Sequence, residues 1–181
     1  MIATVADIYN LGIWEGFLQL VGTGAAALTG LIFVSMSLNL DVITQDATHR
    51  YRAICNLSGL TSVFLMCALA IMGNQGHLSV GVEWIVVAGI AASIYISGYT
   101  QARKGGRSSL GLSTKRFTVG VACYVVEMIG AAILAAGHIV GIYVASVAML
   151  LNIVFFISGA WLLMVGVHLD LTTAQKAPQK N

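Results

Sequence analysis

Charge is what this sequence has least of. Of 181 residues, only 9% are Asp, Glu, Lys or Arg, whereas 58% are hydrophobic. A water-soluble domain carries about 25% charged residues, because its surface must face water. That class is excluded, and lipid is the solvent that suits such a surface. Proline is almost missing too. The one residue, Pro178, lies in the C-terminal tail, so no proline breaks an apolar segment. The three cysteines (Cys55, Cys67 and Cys123) sit in apolar segments without a CxxC or metal-ligand spacing, and read as small apolar residues. The first sixteen residues hold no basic group before the apolar run and no small-residue cleavage site. The first segment is therefore expected to stay as a span. A net charge of +2 gives no ground for a nucleic-acid partner.

What is present in quantity is uncharged sequence in long runs. A spanning helix needs about 20 predominantly apolar residues. Charge gaps place spans at about 16–40, 53–73 and 84–100. From Phe117 to Val167 only Glu127 is charged, and this stretch is long enough for two crossings, at about 117–136 and 141–164. The break falls at Gly137-His138, because glycine ends helices and tolerates left-handed backbone angles. Residues 168–181 form a tail. The fold class is an all-α, five-span membrane bundle in a single membrane domain.

Basic residues set the orientation. Arg50 and Arg52 lie between spans one and two; Arg103, Lys104, Arg107, Lys115 and Arg116 between three and four; Lys176 and Lys180 in the tail. With five spans these segments share one face, and basic residues are retained in the cytoplasm. The N-terminus is expected outside and the C-terminus inside. Trp14 and Trp84 are expected at the outer interface, and Tyr51, Tyr99, Phe117 and Trp161 near the inner one. The basic loop also attracts anionic lipid.

Glu127 is the most informative residue. A charge in mid-membrane is costly, so this acid is expected to be protonated, paired or facing water. At about 100° per residue, it shares a helix face with Gly120, Cys123, Tyr124, Gly130, Ala131 and Leu134. Arg116 and His138 stand eleven residues to either side. One reading is an ion or proton pathway, with Glu127 and Tyr124 inside and His138 at the outer mouth. The other is a hydrogen-bonding contact to a neighbouring helix. In span one, Gly22, Ala26 and Gly30 repeat at the small-xxx-small spacing that brings helices close, and Gly120 and Gly130 are the helix-packing candidates of span four. Glu15 and Gln19 could form a polar vestibule at the outer end. Asn39, Asn56, Ser93, Ser97 and Asn152 read mostly as interhelical hydrogen bonds. The histidines (His49, His77, His138 and His168) lie at span ends, where axial haem ligation is poorly served, so no cofactor or metal is expected.

The run from Ala25 to Leu40, AAALTGLIFVSMSLNL, preceded by Trp14-Glu15-Gly16-Phe17, resembles the first span of a family of small multi-span bacterial membrane proteins common in actinobacteria. The resemblance covers about one span in five. It implies a bacterial inner-membrane protein and supplies no catalytic residues.

A bundle this small encloses little interior, and a pathway lined by several copies is easier to build. The expected function is a homo-oligomeric ion channel or transport-type protein in contact with membrane lipid. The alternative is a non-transporting accessory protein that binds another membrane protein. An enzyme ranks last, because no Ser/His, HExxH or paired-acid arrangement is present.

Overall fold

The computed structural model describes residues 11–72, 75–105 and 114–176. The chain forms α1 (Leu11–Ser37), α2 (Leu40–Gln45), α3 (Ala47–Ile71), α4 (His77–Gly105), α5 (Thr114–Ala135) and α6 (Val140–Lys176), with no strand among the described residues. Among the described residues, five segments are long and apolar enough to cross a bilayer: Ile13–Ser37, Ala47–Ile71, His77–Lys104, Thr114–Ala135 and Val140–Gly166. The molecule is therefore an all-α, multi-pass membrane protein. Its exterior agrees, because Leu31, Phe33, Val154 and Trp161 each expose more than half their surface. Large apolar side chains are spread this way where hydrocarbon surrounds the protein. Arg107 and the end of the tail lie outside the described residues.

Helix ends depart from the apolar runs because hydropathy marks depth, whereas hydrogen bonds and caps end helices. The second crossing starts at Ala47 rather than near residue 53 because Asp46 caps it: its carboxylate accepts the Thr48 N–H at 2.7 Å. The third starts at His77 rather than near 84. The break between the last two spans falls at Gly137, whose φ of 88° suits a residue without Cβ. His138 N–H bonds to Ile133 O at 3.1 Å and Gly137 N–H to Leu134 O at 2.8 Å, a Schellman close.

In the bundle α1 packs on α3, and α3, α4, α5 and α6 form the body. Two apolar clusters fill it. One gathers Leu18, Met66, Trp84, Leu134 and Met149; the other gathers Leu60, Tyr95, Tyr124, Phe156 and Leu163. Trp84 is not an interfacial anchor. It is fully buried, and its indole N–H donates to Met66 O at 2.8 Å. An indole eight residues into a helix that begins at His77 can reach the interior, and a buried N–H needs such a partner.

The small residues divide between two uses. A Cβ on Gly130 would stand 2.9 Å from Ala145 Cα, and one on Gly120 would collide with the Tyr95 hydroxyl. Gly22 meets Cys67 in the same way. These three are taken up by packing within the chain. Ala26 and Gly30 face outward, with nothing within 4 Å of a Cβ on Gly30.

Candidate functional site

The residues that α5 buries are Gly120, Tyr124, Glu127, Gly130, Ala131 and Leu134, one stripe at helical spacing. Cys123 is half-buried, while Thr118, Ala122, Val125 and Ile129 are exposed on the other side. Glu127 has no solvent-accessible surface. It faces neither lipid nor an axis between copies, but the interior of its own bundle.

Its partner is Asn152 on α6, also fully buried, whose Nδ2 donates to Glu127 Oε2 at 3.0 Å. The pair sits where the two apolar clusters meet, with Tyr124 and Phe155 on one side and Ala131 and Met149 on the other. Two oxygens of the pair carry no hydrogen bond: Glu127 Oε1 and Asn152 Oδ1. Leaving such groups unfilled in a buried place costs about 1–3 kcal/mol each. A primary amide can serve an acid in either charge state. Its NH2 donates to a carboxylate, and its carbonyl accepts from a carboxylic O–H.

Toward the Arg116 end of α5 the surroundings become polar. The Tyr124 and Tyr95 ring centroids are 6.0 Å apart, and the Tyr95 hydroxyl donates to Arg116 O at 3.3 Å. Tyr95 lines a cavity of about 60 Å³ together with Arg52, Asn56, Tyr99, Arg116 and Gly159. Toward the hairpin end the buried stripe of α5 continues through Ala131 and Leu134, which belong to the apolar cluster that also holds Met66 and Trp84. Two hydroxyl-bearing rings, Tyr124 and Tyr95, thus lie on the Arg116 side of the acid, and apolar packing lies on the hairpin side.

The remaining sequence candidates are not brought to this centre. His138 is exposed in the turn, because α5 ends at Ala135 and the helical line does not continue to it. Glu15 and Gln19 bond each other at 3.0 Å on the exposed face of α1. Asn39, Ser93 and Ser97 bond carbonyls of the preceding turn rather than neighbouring helices. His49 is buried against Gly166. Among the described residues no group of His, Cys, Asp and Glu is placed to hold a metal ion. Asn152 carried a signal in sequence, being the sole amide in the fifth span; Asn56 and Arg116 carried none that tied them together.

No protein-family model, curated protein or solved structure matches the chain. The fold and the site define its class: a polytopic helical membrane protein with an acid–amide pair buried at its centre.

Proposed function

We propose that the protein is a transport-type membrane protein in which Glu127 binds a proton or small cation inside each chain. The observation that carries this reading is the fully buried Glu127–Asn152 pair with unfilled oxygen sites around it. Intramembrane acids are costly, and they mark ion or proton paths in many membrane proteins. Tyr124 and Tyr95 supply the approach from the Arg116 end. The partition of the nine basic residues supports a cytoplasmic location for that end, with the N-terminus outside; a bacterial inner membrane is what the first-span resemblance implies. Assembly as a homo-oligomer belongs to the same proposal, with the outward Ala26–Gly30 strip as contact. Since Glu127 lies inside the chain, copies would pack around separate pathways rather than share one.

Flux in liposomes tests this, using pH-sensitive and anion-sensitive dyes and a potassium assay. Wild-type protein is expected to move protons or a cation. Glu127→Gln keeps size and hydrogen bonding but cannot release a proton, so it should change flux or its pH dependence while leaving assembly intact. No flux of any tested ion from the wild type overturns the reading and favours a non-transporting accessory role, with the pair as a structural contact.

A further inference from the structure

The cavity at the Arg116 end has features that bundle packing does not account for. It is formed by the start of α3 (Tyr51, Arg52, Cys55, Asn56), the end of α4 (Tyr95, Tyr99), the start of α5 (Arg116) and Gly159 on α6. Four crossings thus converge on it at the level of the span ends. Its volume of about 60 Å³ compares with about 10–15 Å³ needed to admit one water. There is room for a small polyatomic group.

A few donors stand in a lining that is otherwise apolar, with Ala102, Phe117, Phe155 and Leu162 among its walls. Arg116 Nη2 bonds the Phe155 carbonyl at 2.9 Å and the Ser158 hydroxyl at 3.1 Å, and the guanidinium lies 4.6 Å from the Phe155 ring centroid. All these partners are neutral, and the guanidinium has three further N–H donors. Arg52 lines the same cavity, with Arg116 and Asp46 both within electrostatic reach of it. Asn56 adds an independent sign: it is 6% exposed, and its Nδ2 has no hydrogen-bond partner. A buried NH2 group without an acceptor, in a cavity shared with two guanidinium groups, calls for an anionic oxygen. Gly159 keeps the space open, since a Cβ there would collide with Asn56 Oδ1 and stand 2.8 Å from Arg116 Nη2.

We propose that this cavity binds a phosphate-type anion, supplied by the headgroup of an anionic phospholipid and held by Arg52, Arg116 and Asn56. The tetrahedral oxygens meet the guanidinium fork and the amide, while the acyl chains leave along the apolar exterior. Basic pockets between spans are suited to such headgroups. Free phosphate offers the same chemistry, but the position at the span ends favours a group already anchored in the membrane.

The test is native mass spectrometry of the full chain, delipidated in mild detergent. Phosphatidylglycerol, phosphatidylcholine and inorganic phosphate are each titrated in. One phosphatidylglycerol is expected to bind at least tenfold more tightly than phosphatidylcholine. Asn56→Asp and Arg52→Gln should each weaken it at least tenfold, and so should Arg116→Gln. Arg103→Gln, which removes an exposed charge at the same end, should leave it within twofold. Should Arg116→Gln fail to fold, the Asn56 and Arg52 variants decide, read together with the thermal shift that phosphatidylglycerol gives the wild type. Equal binding of the two lipids without phosphate binding, or wild-type affinity in both Asn56→Asp and Arg52→Gln, overturns the site. Saturable inorganic phosphate binding with no lipid preference keeps the anion site and overturns the lipid as its source.

Discussion

The Glu127–Asn152 bond can be weighed by removing each side alone and then both. Asn152→Leu strips the one described hydrogen bond from a carboxyl group with no accessible surface. The full cost of orphaning a buried polar group is about 1–3 kcal/mol. Hydrogen bonds between membrane helices measure lower, about 0.6 kcal/mol on average and up to about 1.7, because spans in the unfolded state also find partners. Complete burial and an acidic partner place this pair near the top of that range. Asn152→Leu should therefore cost about 1–2 kcal/mol, a factor of roughly 5–30 in the folded-to-unfolded ratio. Glu127→Met orphans the amide instead and should cost a similar amount. Removing both leaves two apolar side chains in apolar surroundings, which is close to neutral when shapes match. The coupling in the double-mutant cycle should be about 1 kcal/mol or more. Any overpacking by the leucine of Asn152→Leu appears in the single and double variants alike and largely cancels. Reversible unfolding by SDS titration in mixed micelles supplies the four stabilities, with coincident probes checking two-state behaviour. Additive single effects, with coupling below about 0.3 kcal/mol, would refute the bond as an energetic unit.

Two further outcomes follow from the small residues and the basic ends. Gly130→Ala should lower thermal stability in detergent by about 1–3 kcal/mol, since the new methyl meets the Ala145 backbone of α6; Gly30→Ala, with open space around it, should stay within about 0.5 kcal/mol. A reporter fused after Lys176 should read cytoplasmic and a tag between Gln75 and Ser79 external, and the opposite signals would reverse the proposed orientation.

Span number was readable in the sequence because charge gaps measure membrane thickness directly. The buried stripe of α5 was readable because Glu127, Gly120 and Gly130 mark one side of a helix that otherwise carries Val, Ile and Thr. Other features were not. Lipid and protein interior are both apolar, so hydropathy cannot tell the lipid-facing Trp161 from the enclosed Trp84. Interhelical partners depend on the rotation and depth of two helices at once. Asn152 therefore stood among scattered polar residues until α5 and α6 were placed together. The Arg116 cavity lay deeper still, since its residues come from four separate crossings. His138 misled in the opposite direction. Its helical register was sound arithmetic applied past the point where Gly137 ends the helix.

The close at Gly137 also bears on how the chain enters its membrane during synthesis. Four residues, 136–139, separate α5 from α6. Fully extended they reach about 13–14 Å, less than half of a hydrocarbon layer about 30 Å thick. Once α5 has crossed, the start of α6 has no slack to wait on the far side as a separate domain. The short link favours entry of the two helices as one hairpin, with Glu127 and Asn152 brought to the bilayer side by side. Entry in that form keeps the acid beside its amide as it meets lipid.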